Sequence, residues 1–402
     1  MQGAEHSSCG NQAHWRQPLA TSLRAVPGSR LRRLRSLSPV AGARLQPCPV
    51  AGPPLLDLAS NDYLGLSRHP AVVAAAQAAT KNEGLGAGAS RLVTGTRPGH
   101  ATLESALAGW LGRQQVLLFP SGFQANLAAV QALADRHSLV LADRLIHHSL
   151  LAGVRLSGAR LQRFQHNDLQ HLKRLLEAAR HGNSNRRLLV LSESVYSMQG
   201  TSPDVRRMAE LCEQFGAALL LDEAHALGVI GPGGRGLGHG LQSIALISGT
   251  FGKALGSGGA FLAGDALVME WLLQSSGAFR YTTALAPPLA AGALAALHII
   301  QTHADWRAEL LARAARWRDG LVAAGWPRPP GSGPILPLMV GDDAQALVLQ
   351  QRLEQAGMLA VAIRPPSVPP GTARLRLVLR QDLPKGTLER LLSALGSPCA
   401  VN

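Results

Sequence analysis

The sequence predicts an α/β protein built on a mostly parallel sheet with helices covering its faces. Three observations carry this expectation: short apolar runs alternate with longer segments of helical period, each helical segment reaches the next run by a short connection, and polar residues cluster directly after the runs. Parallel strands are buried on both faces, so they read as continuous apolar stretches and not as an in-out alternation. With 402 residues and 46% hydrophobic content, the chain can bury a large core.

The strand candidates are VLLF at 116–119, LVLA at 139–142, RLLVLS at 187–192, ALLL at 218–221 and IALIS at 244–248. Helices are expected at about 70–81, 101–111, 122–134, 168–180 and 204–215, where apolar residues recur every three or four positions. The stretch from Ala284, ALAPPLAAGALAALHII, is interrupted by Pro287 and Pro288 and contains His298. It reads as a core helix opening at the prolines, not as a membrane span. Near the amino terminus, Trp15, Leu19, Leu23, Leu31 and Leu34 fit the apolar side of a first amphipathic helix.

The formal charge is +14, and much of the excess lies at the front, where Arg16, Arg24, Arg30, Arg32, Arg33 and Arg35 face one acid, Glu5. The pattern shares arginine richness with organellar transit peptides, but it lacks the apolar run of a secretory signal. Basic segments can also bind nucleic acid; arginines without interleaved aromatics more often coat a surface or meet one anionic substrate. Cys9, Cys48, Cys212 and Cys399 are too scattered for paired metal ligands or a disulfide framework, so neither is expected, and a reducing cytoplasm fits best.

In such a sheet ligands bind beyond the carboxyl ends of the strands. There the sequence places Ser121, Gly122 and Phe123 at a helix start, Asp143 followed by His147, then Glu193, Ser194 and Ser197, then Asp222, Glu223 and His225, and finally Thr250 and Lys253. A glycine-opened helix start offers unpaired amides to a phosphate. An acid can hold a cationic ring nitrogen, and an imidazole can stack on a ring. Lys253 is one of only four lysines among 39 basic residues, and it lies in the uncharged stretch ISGTFGKALGSGGAF. Unlike arginine, a primary amine can lose its proton and act as a nucleophile. Phosphate cradle, acid, two imidazoles, threonine and amine together describe a pyridoxal phosphate site. Glycine-rich GLGAGAS (84–90) and GPGGRGLG (231–238) neither follow a clear strand nor open a helix, and Ile247 and Ala254 break a phosphate-loop pattern around Lys253. Dinucleotide binding and an NTPase are therefore disfavoured.

SNDYLGL (60–66), GAGASRLVTGT (86–96), FPSGFQAN (119–126), DEAHALGVIGPGGRG (222–236), TFGKALGSGG (250–259) and IRPPSVPPGTARLRL (363–377) resemble the α-oxoamine synthases, and the motifs run in family order from about residue 30 onward. The resemblance implies the fold type I architecture of pyridoxal-phosphate enzymes: an N-terminal segment 1–60, a large cofactor-binding domain 61–298 and a small α/β domain 299–402. Lys253 would hold the cofactor, Asp222 would pair with its ring nitrogen, and His147 would stack on the ring. Glu193 joins the cofactor shell; Ser197 and His225 would bond its phenolic oxygen. Thr250 and the amides of Gly122 and Phe123 would hold the phosphate, joined by Thr283 from the other subunit of a homodimer. Arg364 would bind the amino-acid carboxylate beside Asn61, and Ser367 stands where the family has threonine. At the acyl end the family uses an N-terminal arginine, for which Arg35 is the ungapped match and Arg32 the alternative. IRPPSVPPGTARLRL with HNDLQHL (166–172) resembles the branch that joins L-alanine to pimeloyl-CoA in biotin formation; other branches use glycine or serine with a different acyl-CoA. An aminotransferase of the same fold would instead take a keto-acid acceptor. Neither a metal, a nucleic acid nor a membrane is implied.

Overall fold

Seven strands form the central sheet of the computed structural model, which describes residues 14–50, 52–183 and 185–396. In spatial order they are Gln115–Phe119, Ala260–Gly264, Leu246–Thr250, Ala218–Asp222, Leu188–Glu193, Leu139–Asp143 and Arg160–Phe164. All are parallel except Ala260–Gly264, which runs antiparallel to both neighbours. The five apolar runs read from the sequence are all strands of this sheet, the last displaced so that it ends on Thr250.

Two strands escaped the periodicity. Arg160–Phe164, RLQRF, is an edge strand in which only Phe164 is buried, so it carries no apolar run. Ala260–Gly264 is buried throughout but is short and continues a glycine-rich stretch, which masks its character.

The apolar runs fill two cores, one on each face. Leu188, Val190, Leu219 and Leu221 enter one cluster, and Leu189, Leu191 and Leu220 enter the other, as the two-residue period of a strand requires. Helices Leu169–Gly182, Val205–Gln214 and Pro287–Thr302 contribute to the first cluster. Helices Gly122–Leu133, His148–Ser157 and Ala266–Ser275 contribute to the second. The proline-opened segment from Ala284 is thus a core helix, and no helix of the described residues is long and apolar enough to cross a membrane.

The first helix covers only Arg16–Arg24; Pro27 and Gly28 end it, so Leu31 and Leu34 lie beyond it in extended chain, contrary to the expectation of one continuous apolar side. Trp15, Leu19 and Leu23 are exposed in the single chain. The following strands, Ser36–Val40, Arg44–Cys48 and Leu55–Asp57, form a small sheet completed by Met358–Leu359. A further three-stranded sheet combines Ile335–Gly341, Ala373–Val378 and Val361–Ile363. Leu58 bridges the two, its amide donating to Leu359 and its carbonyl accepting from Val378. Below it, buried Asp57 accepts from the amides of Ala59 and Ser60 and from Arg380 at 3.2 Å. Cys48 and Cys212 are free thiols, and Cys9 and Cys399 lie outside the described residues.

Candidate active site

Three adjacent parallel strands end on chemistry. Glu193 and Asp222 close neighbouring strands in register, Ser248 faces Asp222 from the next, and Thr250 closes that strand. Asp222 is held rigidly: Oδ1 accepts from the Ala224 amide at 2.9 Å and Oδ2 from Asn126 Nδ2 at 2.8 Å. Asn126 Nδ2 also donates to Ser149 Oγ at 2.9 Å, and Ser149 Oγ lies 2.7 Å from His147 Nδ1. Because the Ser149 amide also donates to that nitrogen, Nδ1 is an acceptor and the His147 proton sits on Nε2. Burial holds this imidazole below its ordinary pKa, opposed by Asp222. Asn126 Oδ1 is buried with no partner.

Lys253 follows the Thr250 strand in a loop closed by hydrogen bonds from Gly256 to Lys253 and from Ser257 to Phe251. Glycine is required at 256: φ is +58°, and a Cβ would come within 2.3 Å of the Ser67 amide nitrogen. The Lys253 amine makes no hydrogen bond or ion pair with any described residue. Burial lowers its pKa from 10.5 to about 8, against the opposing charges of Asp222 and Glu193. Glu193, buried beside Asp222, is pushed well above the usual carboxylate range.

Beside the Thr250 strand, Ser121 Oγ accepts from the Gln124 amide and so caps the helix Gly122–Leu133, leaving the Gly122 and Phe123 amides at its open end. A Cβ on Gly122 would lie 3.6 Å from the Thr250 side chain, so the helix start and the strand end adjoin. Thr250 Oγ1 donates to the Gly259 carbonyl and accepts from the Gly252 amide.

His225 is 2.6 Å from the buried hydroxyl of Tyr63, and burial depresses its pKa well below the ordinary value. Arg376 donates to Asn61 Oδ1 at 2.8 Å and to the Ser197 carbonyl at 2.7 Å, while Arg374, on the same strand face, holds Met198. The loop carrying Ser197 is also braced by His166, which spans Asp143 at 3.0 Å and Thr201 at 2.8 Å and meets Tyr196 edge-on.

A cleft of about 1320 Å³ opens beside these residues, lined among others by His147, His166, Ser197, Arg30, Arg144 and Ser367. Arg364 reaches the Ser29 carbonyl with Nη1, and its Nε is buried without a partner. Arg32 contacts the carbonyls of Arg364 and Pro365 and the Ser367 hydroxyl. Arg35 is directed elsewhere, to an ion pair with Glu354 at 2.6 Å. Thr283 bridges to Ser90, on a face that also exposes Leu92, Val93 and Tyr281.

The pattern of strand ends did not single out Asn126, Ser149, Tyr63 or Arg376. Asn126 stands four residues after Gly122 on the same helix face, a spacing that could have marked it. Arg374 and Arg376 alternate within a fully buried strand, where a charged side chain needs a partner.

The donor set suits pyridoxal phosphate: an unpaired amine of lowered pKa, a carboxylate oriented by two donors, an open helix start for an anion, and two imidazoles. Residues 53–395 match the family model of the class I and II aminotransferases. The chain is 41% identical over 382 residues to an 8-amino-7-oxononanoate synthase of Anaeromyxobacter dehalogenans, covering 94% of each chain. It is 46% identical over 351 residues to the enzyme of that name from Gluconacetobacter diazotrophicus, covering 86% of this chain and 88% of the relative. Among solved structures, a serine palmitoyltransferase of Sphingomonas wittichii superposes with a TM-score of 0.87 at 28% identity, over 96% of this chain and 97% of that one. The 8-amino-7-oxononanoate synthase of Francisella tularensis gives 0.74 at 25% identity, over 85% and 96%. A fold type I pyridoxal-phosphate scaffold, the arrangement at its strand ends and relatives sharing nearly the full length agree: the chain belongs to the 8-amino-7-oxononanoate synthase family.

Proposed function

We infer that this chain condenses L-alanine with pimeloyl-CoA, releasing CoA and carbon dioxide and forming 8-amino-7-oxononanoate, a step of biotin biosynthesis. The observation that carries the reading is the half-buried amine of Lys253, without a hydrogen-bond partner among the described residues and within the field of Asp222 at the carboxyl edge of the sheet. When bound, pyridoxal phosphate supplies a cationic ring that draws electron density from the α-carbon of an amino acid. Lys253 is the residue to hold its aldehyde, Asp222 its ring nitrogen, and Thr250 with the Gly122 and Phe123 amides its phosphate.

The remaining side chains bind, orient and move protons. Arg364 presents a guanidinium to the alanine carboxylate, with Asn61 near it. With its pKa near 8, the Lys253 amine is substantially neutral at mildly alkaline pH and can take the alanine α-proton and return it. Asp222, fixed by Asn126 and Ala224, keeps its charge on the ring-nitrogen side, and Glu193 adds a second carboxyl to the same edge. His147 closes one face of the site with its Nε2–H. Ser197 and His225 serve the phenolic oxygen.

Arg32 is the better placed of the two N-terminal arginines for the acyl group, since it touches the 364–367 segment that Arg35 leaves. The exposed apolar face around Leu92, Val93 and Tyr281, which carries Thr283, suits a homodimer in which that threonine serves the partner's phosphate. The division at 60/61 and 298/299 into segment, large domain and small domain, and a cytoplasmic location, belong to the same proposal.

The purified protein, given alanine, glycine or serine with pimeloyl-CoA, other acyl-CoA thioesters or a pimeloyl carrier protein, decides the substrates by product mass. Formation of 8-amino-7-oxononanoate only from alanine and a pimeloyl thioester is expected. Turnover confined to glycine or serine would replace this reading by another branch of the same chemistry.

A further inference from the structure

Resting on the reading of the site as a pyridoxal-phosphate site, we propose that Tyr63 is a positioning residue: its hydroxyl donates to His225 Nδ1, so that the one proton of the neutral imidazole stays on Nε2, the nitrogen left to face the cofactor. Tyr63 is fully buried, and its oxygen has two acceptors within reach, His225 Nδ1 at 2.6 Å and Asn61 Oδ1 at 3.4 Å. Asn61 Oδ1 already receives Arg376 Nη2 at 2.8 Å, so the phenolic proton goes to the nearer nitrogen. A neutral histidine has one donor and one acceptor nitrogen, and filling the acceptor role on Nδ1 makes Nε2 an obligate donor. His225 makes no second hydrogen bond among the described residues, which leaves Nε2 for an oxygen of the bound group.

The surroundings hold this arrangement in one state. Burial keeps the Tyr63 phenol protonated, and desolvation with the nearby Lys253 and Arg376 charges keeps the imidazole neutral. Arg376 is itself anchored on the Ser197 carbonyl, so a single chain of contacts fixes the loop bearing Ser197, Asn61, Tyr63 and His225. His147 is treated alike: Ser149 occupies its Nδ1, so both site imidazoles present Nε2–H. Tyr63 is thus to His225 what Ser149 is to His147.

The test is made on holoenzyme labelled with nitrogen-15 in histidine, the His225 signals being assigned by their loss in His225→Asn. The wild type should carry its proton on Nε2, and Tyr63→Phe, which removes one oxygen from a buried ring, should move it wholly or partly to Nδ1. In the same variant the visible absorbance band of the bound cofactor should shift, with kcat lowered roughly tenfold for one lost hydrogen bond and KM for alanine little changed. Should Tyr63→Phe fail to fold, 3-fluorotyrosine at position 63 keeps the size and strengthens the donor, and the Nδ1 resonance must then move. A wild type carrying its proton on Nδ1, or a tautomer and resonance indifferent to both changes, overturns the role of Tyr63 alone. Protein that takes up no pyridoxal phosphate overturns the reading of the site.

Discussion

Replacing Lys253 by methionine should change how the stability of the cofactor-free protein depends on pH. Burial lowers the Lys253 pKa from 10.5 to about 8. Below pH 8 the amine is charged in both folded and unfolded chains, and the folded chain bears a net cost of about 3 kcal/mol for holding that charge, since each tenfold step in acidity is worth about 1.4 kcal/mol. As pH rises through 8 the folded amine loses its proton first, while the unfolded one keeps it until 10.5. Over that window the unfolded state binds more protons, so stability rises with pH. Between pH 7 and 9.5 the wild type should regain about 2 kcal/mol from this group, and Lys253→Met should show none of it. Urea denaturation of both apoproteins at several pH values isolates the effect, because tyrosines and cysteines titrating nearby are common to both. Asp222 and Glu193 lose their cation in the variant, which shifts its stability and lifts Glu193 further above the usual carboxylate range; any slope that Glu193 adds falls with pH, opposite in sign to that of Lys253. Parallel stability curves from pH 7 to 9.5 would show that Lys253 is not desolvated and would remove the physical basis for its low pKa.

Four further outcomes are expected. Arg364→Ala should raise KM for alanine by about 10- to 100-fold while the bound cofactor's absorbance persists, as loss of a charge-assisted contact predicts; steady-state kinetics at saturating pimeloyl-CoA measure it. Asp222→Asn should slow α-proton exchange of alanine in deuterated water at least about 100-fold, because a charge aimed at the reacting system is removed; an unchanged rate by NMR rules this out. Gly256→Ala should cost more than about 2 kcal/mol, since a left-handed backbone and a 2.3 Å approach to Ser67 coincide there; an unaltered melting temperature would mean the loop has room. Arg380→Met should cost about 3–5 kcal/mol by leaving the Asp57 carboxylate buried without its cation, read as a lowered urea midpoint.

Local chemistry made much of this protein legible without coordinates. Apolar runs such as ALLL and LVLA, short and spaced by helical segments, fit strands buried on two faces, and in a parallel sheet Asp222, Glu193 and Thr250, as the first polar residues after such runs, stand at one rim. Ser121 and Gly122 before a helical period likewise announced a helix start. The antiparallel strand Ala260–Gly264 and the edge strand Arg160–Phe164 were hidden, one by surrounding glycine and the other by solvent-facing polar side chains. Periodicity states which face a residue occupies, but not which distant segment lies against that face. The pairing of Tyr63 with His225, of Asn126 with Asp222, and of Arg32 rather than Arg35 with the 364–367 segment depends on the order in which strands and loops were laid beside one another. That order is settled by packing of the whole core, so these contacts could be known only from the folded chain.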